Sequence, residues 1–345
     1  VTGATITSAA AVNTANAGSY SIDISNAVGT GLGNYIISYQ PGTFTVNKAL
    51  LTATADNKTM TYGGTFPALT ASYTGFVISE NSCVIDTLAV LASGTEANAD
   101  AGLYTDTLTA SGAVDNNYSF NYVAGDLTID KADLDITALN DSKIYDGLGY
   151  VGGSGVNIVG LVNSDLVTDL GGALSYSGSS QGATNVGGSP YVITPGGYTS
   201  GNYNIAYNNG QLTITPAALA ITANNQAKVY GTLFSFAGTE FTTSGLQNSE
   251  TLISATLSSL GSPVTATVGG YDIDISGATG GTADLSNYNV TYNKGQITVN
   301  PAALTITAND LTKTYDATPF SGGNGVTYTG FVNGETSGTS DLIGS

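Results

Sequence analysis

Pro216-Ala-Ala-Leu-Ala-Ile-Thr-Ala-Asn-Asn-Gln-Ala-Lys-Val-Tyr-Gly231 is one of four versions of a single phrase. The others are Lys48-Ala-Leu-Leu-Thr-Ala-Thr-Ala-Asp-Asn-Lys-Thr-Met-Thr-Tyr-Gly63, Lys131-Ala-Asp-Leu-Asp-Ile-Thr-Ala-Leu-Asn-Asp-Ser-Lys-Ile-Tyr-Asp146 and Pro301-Ala-Ala-Leu-Thr-Ile-Thr-Ala-Asn-Asp-Leu-Thr-Lys-Thr-Tyr-Asp316. Their starts lie 83, 85 and 85 residues apart. A repeat of fixed period outranks other signals in a sequence. Within the phrase Leu219, Ile221 and Ala223 alternate with Ala220 and Thr222. Period two puts successive side chains on opposite faces, which is the signature of a strand and not of a helix.

Working outward, each unit closes on a second phrase. It reads Asn117-Tyr118-Ser-Phe-Asn-Tyr122-Val-Ala-Gly125-Asp-Leu-Thr-Ile129, and recurs from Asn202-Tyr203 to Ile214, from Asn287-Tyr288 to Val299, and from Asn34-Tyr35 to Val46. Two alternating runs around a Gly-containing turn predict a β-hairpin. Mid-unit lies a third phrase: Gly75-Phe-Val-Ile-Ser-Glu80, Gly160-Leu-Val-Asn-Ser-Asp165, Gly245-Leu-Gln-Asn-Ser-Glu250 and Gly330-Phe-Val-Asn-Gly-Glu335. A unit then holds about six to eight short strands and no helix, the pattern of a small β-sandwich. The boundaries follow: a C-terminal half-repeat at 1–47, repeats at 48–130, 131–215 and 216–300, and an N-terminal half-repeat at 301–345. The halves suggest a window cut from a longer repetitive chain, or half-units completed by a neighbouring molecule. The short Pro-Ala-Ala junction carries no Gly and predicts a stiff joint. The expected fold class is all-β, a tandem array of small Ig-like β-sandwich domains forming an elongated rod.

Composition narrows the function. The chain has 345 residues, 25 Asp plus Glu, seven Lys or Arg and no His, for a net charge of −18. No basic patch can form, so nucleic acid is excluded as a main partner. With no His, and Cys83 the only cysteine, a nucleophile–base pair is close to excluded, and Cys83 reads as a small core residue. No window is long and apolar enough for membrane insertion in this segment. Strands rich in Thr, Val, Ile and Tyr, with many Gly-Asn turns, suggest an all-β extracellular protein.

The Lys-x-Tyr-Gly/Asp start, the Gly-Leu-x-Asn-Gly/Ser-Asp/Glu middle and the Asn-Tyr…Gly-x-Leu-Thr-Ile end resemble the MBG and YDG repeats of large bacterial surface proteins. Tyr145-Asp146-Gly147 matches the YDG form, so 131–215 reads as YDG-like and 48–130 and 216–300 as MBG-like. The resemblance implies an extracellular or cell-surface location in a bacterium, in filamentous-haemagglutinin-like adhesins, and repeats not known for catalysis.

Few residues offer chemistry. Lys143, Lys228 and Lys313 precede Tyr145, Tyr230 and Tyr315 by two positions; in the first unit Lys58 is displaced and Met60 stands there. Glu80, Asp165, Glu250 and Glu335 each follow the lysine of their unit by 22 residues. This spacing predicts a repeated ion pair setting register, worth about 0–1 kcal/mol at a surface; its sharper version is a Lys–Asn or Lys–Asp isopeptide crosslink. Tyr62, Tyr145, Tyr230 and Tyr315 at the unit start, with Tyr35, Tyr118, Tyr203 and Tyr288 at the unit end, read as repeat-core tyrosines. No cofactor is expected; Asp130, Asp133, Asp135, Asp272 and Asp274 leave junctional calcium open without an Asp-x-Asp-x-Asp-Gly loop. The expected partners are neighbouring repeats and copies of the chain in a fibre. The expected function is the stalk of an extracellular adhesin or fibre, non-catalytic. Its alternatives are a self-assembling filament subunit and a glycan- or protein-binding module.

Overall fold

Repeat 48–130 folds into seven strands: Ala49–Ala55, Lys58–Thr61, Ala71–Thr74, Val90–Ser93, Gly102–Ser111, Tyr118–Val123 and Gly125–Asp130. The computed structural model describes residues 1–338; residues 339–345 of the last half-repeat lie outside them. Three of the strands form one sheet, in the order 71–74, 49–55, 118–123, and the other four a second, in the order 58–61, 125–130, 102–111, 90–93. The long strand Gly102–Ser111 lies against both Ala49–Ala55 and Tyr118–Val123, so the two sheets face each other. The third repeat, 216–300, has the same two sheets. Among the described residues there is no α-helix, only four short 3-10 turns.

The chain divides into two compact units. The first comprises Val1–Thr137, Asn157–Leu174 and Gly196–Asn208; the second comprises Ala138–Val156, Ser175–Pro195 and the chain from Asn209 on. The three-stranded sheet of the middle repeat falls to the first unit and most of its four-stranded sheet to the second. In the first unit Leu51, Leu108, Tyr118, Leu127 and Ile129 are buried; in the second Ile193, Leu212, Leu219, Ile221, Ile273 and Ile297 are. These are the inward positions of the alternating runs, and each such side chain stabilises the fold by about 1.5–3 kcal/mol.

The expected hairpin does not form. Tyr118–Val123 and Gly125–Asp130 belong to different sheets. Each instead runs parallel to a strand from the start of its repeat: Ala49 is matched with Tyr118 and Lys58 with Leu127. Both pairings are offset by the same 69 residues, so two strands run side by side and cross together from one sheet to the other. The third repeat does the same, with Ala217 beside Tyr288 and Gln226 beside Ile297. The physical reason is that one residue separates the two closing strands. A hairpin must reverse the chain over a turn of at least two residues; here the chain only steps sideways. Alternation reveals strands but not their partners, and a parallel pairing so distant leaves no local mark.

Cys83 is exposed, against the expectation of a core residue. It lies in the 3-10 turn Ser82–Val84, and the inward place goes to Ile85.

Candidate functional site

The Gly-Leu-x-Asn-Ser-Asp/Glu phrase builds a tight turn. Backbone N–H of Asp165 donates to Val162 O at 2.9 Å and that of Glu250 to Gln247 O at 2.9 Å. The two residues between have positive φ: Asn163 and Ser164 at 54° and 67°, Asn248 and Ser249 at 45° and 60°. This is the geometry of a type I′ turn, which Asn tolerates because its short side chain can enter the left-handed region. The glycine ahead of it is required as well. At Gly160, with φ of 115°, a Cβ would stand 2.4 Å from Asp133 O.

The turn aims its carboxylate at two tyrosines. In the first unit Tyr203 Oη donates to Asp165 Oδ2 at 2.7 Å and accepts from the Val162 N–H at 2.9 Å. Tyr62 Oη, from the preceding repeat, donates to the same Oδ2 at 3.0 Å. The rings meet edge to face, centroids 5.5 Å apart. In the second unit Glu250 accepts from Tyr145 through Oε1 and from Tyr288 through Oε2, and those rings are 5.3 Å apart. Tyr288 Oη accepts from the Gln247 N–H at 2.8 Å. All four phenols are buried. Burial first, and the carboxylate hydrogen bond with it, pushes Tyr145 and Tyr288 up to about 12. Tyr203 is also raised to about 12 by burial and by Asp165.

An asparagine completes the joint. Asn202 Oδ1 accepts from the Ala101 N–H at 2.9 Å and its Nδ2 donates to Asp100 at 2.8 Å. Asn287 repeats this with the Val186 N–H and Asn185, and Asn117 with the Ala17 N–H and Asn16. The amide thereby bonds the preceding repeat while its neighbouring Tyr bonds the acid. Close approach of the repeats also demands glycine: at Gly63, with φ of 71°, a Cβ would stand 2.3 Å from Val162 Cγ2.

The lysines and acids go to different partners, correcting the expected pairing. Glu80 accepts from Tyr118 at 2.5 Å, and Glu335 from Tyr230. Lys143 pairs with Asp146 at 2.7 Å and Lys313 with Asp316 at 2.7 Å. Lys228, buried, donates to the carbonyl oxygens of Thr232, Ser262 and Pro263. Lys58 donates to Thr70 Oγ1 at 2.7 Å. The reason is strand parity: the position two before Tyr faces inward, where Met60 is buried in the first repeat, so the lysine stem stays within its own repeat. Asp146 and Asp316, directly after the tyrosine, were the available signal. Both aspartates are about half exposed, unlike the buried setting an isopeptide bond needs. Asp272 and Asp274 share Lys294, at 3.2 and 2.9 Å, and among the described residues no three metal-ligating side chains converge.

Of the eight tyrosines expected in the core, Tyr62, Tyr118, Tyr145, Tyr203 and Tyr288 are buried and Tyr230 is half-buried. Tyr35 and Tyr315 are 74% and 92% exposed. Each sits in a half-repeat, and the buried tyrosines draw their cover from the other half or from the next repeat. The asparagines 117, 202 and 287 were missed as site residues, although Asn precedes Tyr in every copy.

No helix among the described residues is long and apolar enough to cross a membrane. Comparison with curated proteins gives no match. The MBG domain family (YGX type) matches residues 51–128, 134–213 and 219–298, the repeat with Tyr145-Asp146-Gly147 included. Repeats of this family are typical of surface proteins. With three tandem matches spanning most of its length, this chain belongs to the MBG domain family.

Proposed function

We propose that this chain is a non-catalytic spacer in an extracellular bacterial surface protein of the adhesin kind. Its repeats would add their lengths to hold a binding region away from the cell. The observation that carries this reading is the recurrence of one joint. Tyr62, Asp165 and Tyr203 are arranged as are Tyr145, Glu250 and Tyr288. A joint of buried rings and charge-assisted hydrogen bonds resists bending, whereas a Gly/Ser linker behaves as a random coil. Last and first strands are separated by one residue, Lys131 or Pro216, at the two inner joints, which leaves little slack for a hinge.

The chemistry supports a structural role. The chain has no His, and its one Cys is exposed without an imidazole beside it. The net charge of −18 favours solubility and separation of neighbouring chains. Small-angle scattering tests the reading. The profile of a stiff spacer has a cross-sectional regime and a maximum dimension that grows linearly as repeats are added. A profile of freely jointed domains, or a compact one, refutes it.

A further inference from the structure

In each complete repeat the first and last segments of chain lie side by side and run the same way. In repeat 48–130, residues 49–54 are matched with 118–123 and residues 58–61 with 127–130. Repeat 131–215 matches 132–137 with 203–208 and 141–144 with 212–215. Repeat 216–300 matches 217–222 with 288–293 and 226–229 with 297–300. One more backbone bond closes each second ladder: the N–H of Tyr62, Tyr145 and Tyr230 donates at 2.8 Å to the carbonyl oxygen of Asp130, Thr215 and Asn300. An asparagine pins the point between the two ladders, where the segments change sheets. Asn57 Oδ1 accepts from the Asp126 N–H, Asn140 Oδ1 from the Gln211 N–H and Asn225 Oδ1 from the Gln296 N–H, each at 2.8 Å.

This placement decides how tension crosses a repeat. A pull along the chain enters at the N-terminal end of the first segment and leaves at the C-terminal end of the last. In parallel segments these are opposite ends of one ladder, so the segments are driven to slide past each other and their hydrogen bonds are loaded together. In an antiparallel pair they would be the same end, and the bonds would open one at a time. Sliding also has no gentle first step. A slip of one residue turns every side chain to the opposite face, which would drive the buried Leu219, Ile221, Ile297 and Val299 out of the core. A single residue, Lys131 or Pro216, leads from the last strand of one repeat to the first of the next, so tension passes from ladder to ladder without slack.

We propose that each complete repeat is a tension-bearing element whose first and last segments form a shear clamp, pinned at its crossing by Asn57, Asn140 or Asn225. This goes beyond the spacer reading. Resistance to pulling and resistance to bending are separate properties and are measured separately.

Single-molecule pulling on the full chain in two directions is the test. Cys83 is exposed, so Cys83→Ser frees the chain for cysteine handles at other exposed positions. Pro216→Cys with Pro301→Cys loads the clamp of repeat 216–300 in shear, and Pro216→Cys with Ser286→Cys pulls the same end of both segments and peels them apart. Opening in shear frees the 85 residues from 216 to 301, a step of about 280–310 Å less the folded length. Lifetime under force reads the unfolding rate. At a given force it should be about tenfold longer or more in shear, since each hydrogen bond broken in concert is worth a factor of about two to ten. Asn225→Ala should shorten the shear lifetime about twofold to tenfold and leave the peeling lifetime unchanged, because peeling begins at Ala217 and Tyr288, away from the crossing. Equal lifetimes in the two directions, or an equal effect of Asn225→Ala on both, overturns the proposal. Either result leaves the scattering test of the spacer untouched.

Discussion

The Glu250 joint sets a quantitative test. Tyr145→Phe deletes one phenol that donates to a carboxylate and leaves the ring in place against Tyr288. Hydrogen bonds to charged groups contribute about 1.5–3 kcal/mol, so that is the expected loss. Glu250→Ala is harsher. It leaves two buried hydroxyls without their acceptor, at about 1–3 kcal/mol each, or about 2–6 kcal/mol in all. Tyr288→Phe falls between, because the Gln247 N–H loses its acceptor as well. A repeat array does not guarantee two-state unfolding, so a local probe is needed. Amide exchange at the Gln247 N–H and at the Val186 N–H, which bonds Asn287 across the joint, reports opening directly. A double-mutant cycle of Tyr145→Phe with Glu250→Gln should show coupling of about 1 kcal/mol or more. Zero coupling, with a Tyr145→Phe effect under about 0.5 kcal/mol, would refute the view that the acid binds the two repeats together.

The remaining predictions concern pH and two repeat positions. Tyr145, Tyr203 and Tyr288 are raised from 10.0 to about 12, so the neutral phenols contribute fully below about pH 10 and lose that contribution as pH climbs towards 12. Ultraviolet titration of tyrosinate alongside circular dichroism should show late ionisation accompanied by loosening. Lys228→Met keeps a buried stem, as Met60 does in the first repeat, but removes the hydrogen bonds to the carbonyl oxygens of Thr232, Ser262 and Pro263, so it should cost about 1.5–3 kcal/mol, and Lys228→Ala should cost more by leaving a void as well; urea denaturation of both distinguishes them. Ile78 has φ of 51° where the other copies carry Asn, and is 70% exposed. Ile78→Asn should therefore stabilise the first repeat by about 1 kcal/mol, and no gain in thermal midpoint would count against the turn assignment.

Much of the fold was legible in the residues. The period, the strands and their inward faces followed from alternation alone: Leu219, Ile221 and Ala223 are buried where the pattern put them. So did the family, because four co-linear phrases are specific where any one is weak. The joint was only half legible. The acid and both tyrosines could be marked as repeat positions, but the lysine was paired with the wrong residue. A constant spacing of 22 residues says that two positions recur together, not that they touch. Asp146 beside Tyr145 was the better signal for Lys143, because three residues across a turn is a distance a lysine can span.

What the sequence determined by itself was local: period two, the Asn-Ser turn before the acid, the Gly ahead of it, and the class of fold. These depend on one residue and its near neighbours, through sterics and burial. Tertiary structure decided which strands pair and which side chains meet. Lys58 lies beside Leu127 and Tyr62 reaches Asp165 because two parallel strands cross between sheets together and deliver the tyrosine to the next repeat. Such contacts join residues 69 and 103 positions apart. Their geometry belongs to the packed sheets, and no pattern along the chain encodes it.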